Sequence, residues 1–353
     1  MEKEPLEFLK KLADAVSPSG FEEDASLIWK ERTEKFADSV KKDVHGNTIA
    51  VLQRDDNMKV MLAGHIDEIG YMVKFIDEQG YIYFSTVGGI DLHLVPGQRV
   101  VIKTQKGKVL GVVGKKPIHV LEDEERKKVS KIDQLWIDIG SKSEKETKKI
   151  VDIGDVAVPA VGFEILRSDI VIGRGFDDKA GAFVVSEALR LLSNKKNLKA
   201  SVYSVGTVQE EIGLRGARTS CFGISPDVGI AVDVTFATDF PGMEKKKVGD
   251  IQIGKGPVIA RGPNINPKVF DIIVAAAKSS KIPYQIEGIS RATGTDANVI
   301  QLTKSGVATG LVSIPLRYMH TPVELLSLKD LVNTAKLLCA VITRLSKKTS
   351  FII

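Results

Sequence analysis

Cysteine is nearly absent, with two in 353 residues, and Cys221 and Cys339 lie too far apart to make a disulfide framework. Buried thiols in a reducing compartment are expected instead. No apolar run approaches the roughly 18 residues of a membrane span. The first 16 residues, MEKEPLEFLKKLADAV, carry a helical apolar stripe at Leu6, Leu9, Leu12 and Val16, not the unbroken core of a signal peptide. Neither sign of charge dominates: 50 Lys+Arg face 45 Asp+Glu, for a net +5. Basic pairs such as Lys41-Lys42 and Lys347-Lys348 are scattered among acids, unlike the concentrated basic face of a nucleic-acid binder. These absences predict a cytoplasmic protein with no nucleic-acid or membrane partner. With 43% hydrophobic and 27% charged residues, the chain is long enough for a large core and two domains.

The order of patterns predicts how those domains interleave. The first ~65 residues read as helix, helix, strand, strand. Ser19 and Glu22 fit an S-x-x-E capping box before a helix through Trp29, and NTIAVL and KVMLAGHI fit two strands. Between 70 and 165 short β-like runs follow one another (YMVKF, YIYFSTV, RVVIKT, KVLGVVG, QLWIDIG, DVAVPA), with one charged stretch, EDEERKKVSK, as a solvated loop or short helix. After 168 strands and helices alternate, with Asn266-Pro267 and Ser327 as helix starts. The expected fold class is α/β, a mixed sheet with helices on both faces, made from 1–68 and 166–353, with a β-rich barrel or sandwich inserted at 69–165.

Chemistry-bearing residues recur where strands should end. His65 and Asp67 follow KVMLAG, Asp177 and Asp178 follow DIVIGRGF, and Glu210 and Glu211 follow ASVYSVGTV. Asp233 sits in VGIAVDVT and His320 follows TGLVSIPL. In open α/β sheets ligands gather beyond the carboxyl ends of strands, so these distant positions can converge. Taken singly, several have ordinary roles. His45 lies in a polar turn, His93 and His119 lie in the insertion, and Asp177 or Asp178 could cap the helix starting at Lys179. Asp233 is harder to dismiss, because an unpaired buried carboxylate is costly and strands are poor in Asp. Two neutral imidazoles and three carboxylates bring about −3, suited to two divalent ions and a bridging hydroxide roughly 3.5–4 Å apart. Mixed ligands favour zinc, cobalt or manganese over magnesium. Of the adjacent glutamates, one can bind metal while the other serves as base.

The strings AGHIDEIG (63–70), GRGFDDKAG (173–181), VQEEIGLRGAR (208–218), AVDVT (231–235), GTDAN (294–298) and RYMHTPVE (317–324) resemble, in order and over essentially the whole chain, the co-catalytic metalloaminopeptidases of the glutamyl or tetrahedral (TET) aminopeptidase family. The resemblance implies a zinc-peptidase-like α/β/α domain that carries two divalent ions per subunit, zinc or cobalt. His65, Asp177 and Asp233 would hold one metal, and Asp177, Glu211 and His320 the other, with Asp177 as bridge. Glu210 would be the general base and Asp67 the carboxylate orienting His65. It further implies a PDZ-like dimerisation insertion and six dimers in a hollow tetrahedral dodecamer that admits unfolded peptides. The reaction expected is removal of an N-terminal residue with a metal-bridging water. Arg291, Thr295 and Asp296 are candidate substrate contacts, Arg291 as a positive wall for Asp or Glu, and Thr295 and Asp296 equally as caps of the helix after them. Two alternatives use parts of the same set: an endoglucanase-like glycoside hydrolase with paired carboxylates, for which the histidines are superfluous, and a noncatalytic peptide-binding shell, which has no use for Glu210.

Overall fold

The run expected as two strands forms one long element, Thr48–His65. The computed structural model describes residues 1–196 and 198–353, with every side chain but those of 55–57 and 125. Both halves of Thr48–His65 flank Ala200–Thr207, which runs parallel to 59–65 with Thr207 beside His65 while its residues 202–206 also face 52–48. Val228–Phe236 pairs in parallel with residues 60–63 on one side and with Ala308–Leu316 on the other, Asp233 opposite Ser313. Four strands therefore point their carboxyl ends to one edge. Ser39–Lys42, Val258–Arg261 and Gln285–Gly288 complete the seven-stranded sheet among the described residues.

Val228–Phe236 and Ala308–Leu316 read as nearly continuous apolar runs because they are covered on both faces. The helix Phe176–Ser193 packs on the sheet and is itself covered by Lys3–Asp14, Glu23–Thr33 and Leu328–Ile342. Its approach is close: a Cβ on Gly64 would lie 2.6 Å from the Gly181 carbonyl carbon, so glycine is needed there. The Trp29 indole N–H donates to the Ala182 carbonyl at 2.8 Å and pins the second helix to the same place.

The β-rich run closes into a six-stranded barrel, in the order Gly70–Ile76, Ile82–Val87, Leu135–Asp138, Gly107–Lys115, Arg99–Thr104, Val156–Pro159. It has its own core, including Tyr71, Phe84, Ile102 and Ile137. The charged stretch holds one helical turn, Asp123–Arg126.

Two local expectations need correction. Ile170–Gly173, the strand before Asp177, does not join the large sheet; it pairs with Glu164–Arg167 and Glu324–Ser327 in a separate three-stranded antiparallel sheet. Ser19 and Glu22 do not cap the helix Glu23–Thr33, whose N-cap makes no side-chain bond. Both are buried and turned toward the sheet edge. The caps at Asn266 and Ser327 form as expected, accepting from Lys268 and Val269 N–H and from Lys329 N–H.

Candidate metal centre

At the common sheet edge the carboxylate of Asp177 lies between two imidazoles. Its Oδ1 is 3.2 Å from His65 Nε2 and its Oδ2 is 3.1 Å from His320 Nε2. Glu211 Oε2 lies 3.5 Å from the same His320 nitrogen, and Glu210 Oε2 lies 3.8 Å from His65 Nε2. One atom each of His65, Asp177 and Glu211 falls within 4.8 Å of the others, and so does one each of His65, Asp178 and Asp233. Asp177 and Asp178 are thus both near, but differently engaged. Asp178 spends its oxygens on main-chain amides, Oδ2 accepting from His65 N–H at 3.1 Å and Oδ1 from Gly181 N–H at 2.9 Å. The two oxygens of Asp177 face the imidazoles instead.

Backbone geometry positions these groups. Asp177 and Asp178 break the first turn of their helix with non-helical φ/ψ, after Gly175 at φ +62°, where a Cβ would meet Glu68 Oε2 at 2.6 Å. His320 itself is left-handed, φ +60°. His65 Nδ1 lies 3.1 Å from the Asp67 main-chain carbonyl and 3.4 Å from its carboxylate, which also accepts the N–H groups of Glu210 and Glu211, each at 3.1 Å.

The electrostatics are those of a crowded acidic cluster. Burial pushes the Glu210 carboxyl up to about 10 against the pull of His65, with Asp233, Asp296 and Glu211 adding repulsion. Burial likewise raises Glu211 and Asp233 to about 8, with repulsion from Asp177 assisting in each. The His320 imidazole rises to about 9, chiefly through its contact with Asp177. Burial works against protonating His65, yet Glu210, Asp177 and Asp67 hold it well above the ordinary range. Burial would also raise Asp177, but both imidazoles hold it well below the usual carboxylate range.

The residues around Asp177 fit divalent-cation binding. Two ligand atoms on one tetrahedral cation, each about 2.0 Å from it, are roughly 3.3 Å apart, which the Asp177, His65, His320 and Glu211 distances match. Glu211 Oε1 and Asp296 Oδ1 are buried without a hydrogen-bond partner, as expected of acceptors facing a cation or a donor from outside the chain.

Other expected residues fall unevenly. Asp296 is buried and accepts from Thr207 Oγ1 at 2.6 Å, making no side-chain cap to its helix Ala297–Ile300. Thr295 donates to Thr293 Oγ1 at 2.9 Å, and Arg291 is exposed. His93 and His119 are exposed on the inserted segment.

Several residues escaped sequence reasoning. The two oxygens of Glu324 accept from the N–H groups of Asp177 and His320, each at 3.1 Å, so one carboxylate fixes the backbones of two candidate ligands. Its place in RYMHTPVE was a usable signal. A buried Glu68 holds both Arg174 and Lys179 at 2.7 Å, and these cations also donate to the carbonyls of Ala13 to Ala15. The barrel also borders the cluster: a Cβ on Gly88 would lie 3.4 Å from Glu211 Cβ, and one on Gly89 3.4 Å from His320 Nδ1. No sequence pattern signals that approach.

A family model described as M42 glutamyl aminopeptidase matches residues 46–337. The lysyl aminopeptidase of Pyrococcus furiosus is 40% identical over 343 residues, 96% of this chain and 97% of that protein. The TET aminopeptidase of the marine sediment archaeon Thaumarchaeota archaeon SCGC AB-539-E09 superposes with TM-score 0.94 at 37% identity, covering 98% of this chain and 97% of its own. The Pyrococcus horikoshii TET1 peptidase, described as able to assemble into a tetrahedron or a large octahedral shell, matches with TM-score 0.85 at 32% identity over 95% and 98% of the two chains. Among the described residues no helix is long and apolar enough to cross a membrane.

Proposed function

This chain belongs to the M42 glutamyl aminopeptidase family, and from that membership we propose a two-cation aminopeptidase that removes the N-terminal residue from short or unfolded peptides. Membership makes it a metal-dependent hydrolase acting on peptides. The observation that carries the two-cation reading is Asp177, with one oxygen toward His65 and the other toward His320. In this reading His65, Asp233 and Asp177 would hold one divalent cation, and Asp177, Glu211 and His320 would hold the other, zinc or cobalt best suiting the mixed donor set. The cations supply Lewis acidity to a water and to the scissile carbonyl.

The chain's own residues do the rest. Asp67 fixes the His65 ring at Nδ1, leaving Nε2 for the cluster interior. Glu210 is the group left over from the ligand sets; with cations offsetting the burial and the neighbouring acids that otherwise raise it to about 10, its carboxylate would take the water proton and return it to the departing amine nitrogen. Asp178 and Glu324 are occupied in holding main-chain amides and have no part in proton transfer. Units 1–68 with 166–353 and 69–165 are proposed as catalytic and dimerising parts, assembling like the P. horikoshii relative into a closed shell, here a cytoplasmic dodecamer of six dimers.

The test pairs metal analysis with a panel of aminoacyl chromogenic substrates, Lys, Glu and Leu among them. Chelation should abolish cleavage, and zinc or cobalt restore it at two ions per subunit. Glu210→Gln should keep both ions but lose at least ~10²-fold in turnover, while Glu211→Gln should weaken one site. Equal metal loss in both variants would show that the pair is divided wrongly. Cleavage that survives complete metal removal would end the reading. The same panel decides whether Arg291 draws acidic residues or whether the preference follows the lysyl-named relative.

A further inference from the structure

Residues 17–22, SPSGFE, supply no candidate ligand, yet two of their side chains, Ser19 and Glu22, end in or beside the acidic cluster. The reason lies in the glutamate turn. Gln209, at the exit of strand Ala200–Thr207, has a left-handed backbone at φ +55°, a conformation a glutamine keeps only where its surroundings impose it. From that turn three successive amides meet buried carboxylate oxygens. Gln209 N–H donates to Glu22 Oε1, Glu210 N–H to Asp67 Oδ1 and Glu211 N–H to Asp67 Oδ2, each at 3.1 Å. Ser19 Oγ donates to that same Asp67 Oδ2 at 2.5 Å. Glu22 also accepts from Gly20 N–H at 2.6 Å.

The segment is clamped in place. Ser17 N–H donates to Glu68 Oε1 at 3.0 Å, Glu68 N–H to the Ser17 carbonyl at 3.0 Å, and Ser19 N–H to the Glu68 carbonyl at 3.3 Å. Burying a second carboxylate, Glu22, close to Asp67 is unfavourable unless amides compensate it. Its helix needs it for no cap. What Glu22 holds is the turn that sends Glu210 toward His65 and Glu211 toward His320.

We propose that Ser19 and Glu22 are positioning residues of the glutamate pair: Glu22 pins the left-handed Gln209 amide, and Ser19 orients Asp67, which pins the next two. The inference rests on the aminopeptidase reading for its kinetic readout, but not for its spectroscopic one.

The experiment compares Glu22→Ala, Glu22→Gln and Ser19→Ala with wild type in kinetics, in metal content and in the visible absorption of the cobalt-loaded protein. Glu22→Gln keeps an acceptor oxygen, whereas Glu22→Ala has none. Glu22→Ala should bind the same amount of metal and lose about 10- to 100-fold in kcat with KM within about threefold, the scale of a misplaced catalytic group. Its cobalt spectrum should shift, because Glu211 approaches differently. Glu22→Gln should restore kcat to within about threefold and the spectrum to the wild-type form. Ser19→Ala should fall between them. Wild-type kcat per bound metal in Glu22→Ala would overturn the proposal, as would a Glu22→Gln variant equally impaired. Should the wild-type protein cleave no peptide, the aminopeptidase reading fails alone. The cobalt spectrum then decides: a shift in Glu22→Ala reversed in Glu22→Gln supports positioning, and an unchanged spectrum in Glu22→Ala overturns it.

Discussion

Asp177 and Asp178 are adjacent, identical in type and both buried, yet their surroundings assign them different work. The first faces two imidazoles and the second two amides. Asp177→Asn keeps the size but removes the charge shared by both proposed cations, so elemental analysis should find both ions lost and activity nearly abolished. Asp178→Asn retains one acceptor oxygen for the amides and should keep more metal. The reverse ranking would move the bridge to Asp178, which also lies within reach of His65 and Asp233. The same crowding sets a pH dependence for the chelated protein. Glu211 and Asp233 have folded-state values near 8 and His320 near 9, all above their unfolded values of about 4 and 6.5. Such groups stabilise fully below the unfolded value, and that contribution is lost as pH rises through the folded one. Melting temperature of the chelated protein should therefore fall between about pH 5 and 9, and added zinc should remove the fall. A chelated protein that gains stability across that window would contradict these shifts.

At the scale of elements, the site depends on joints between pieces distant in sequence. Glu68, just past the end of Thr48–His65, joins Arg174 before the helix Phe176–Ser193, Lys179 inside it and the segment after Lys3–Asp14. All three charged side chains are buried, and burial lowers Lys179 to about 8 even beside Glu68. Glu68→Gln would leave two buried cations without their carboxylate, and chemical denaturation should register a loss of about 3–5 kcal/mol. A loss below about 1 kcal/mol would mean that the carbonyls of Ala13 to Ala15 suffice for both cations.

For the whole molecule the open question is what the barrel joins. Its surface exposes Phe75, Leu110, Val112 and Ile153, apolar side chains suited to a contact with a second copy. Replacing 70–165 by a short linker should give a smaller particle in light scattering. Because the loop at Gly88 and Gly89 also borders Glu211 and His320, the shortened protein should lose turnover as well. A full-sized assembly after the deletion would assign the organising contacts to the sheet domain.

Residue order alone was enough to place His65, Glu210, Glu211 and His320 at or past the ends of strands of the main sheet, the β-rich interruption and the caps at Asn266 and Ser327. These are local or periodic signals, and a parallel sheet necessarily gathers the carboxyl ends of its strands. Ser19-x-x-Glu22 shows where that logic stops. The pattern satisfies a capping box, but the unpaired amides of a turn nearly 190 residues away, together with the oxygen of Asp67, compete for the same side chains and win. Likewise DIVIGRGF reads as another strand of the main sheet, while pairing with Glu324–Ser327 places it in a separate one and brings Glu324 onto Asp177. Which oxygen meets which donor is decided by long-range packing, because a buried polar group takes whichever partner the folded chain brings within about 3 Å, and spacing along the sequence carries no record of that distance.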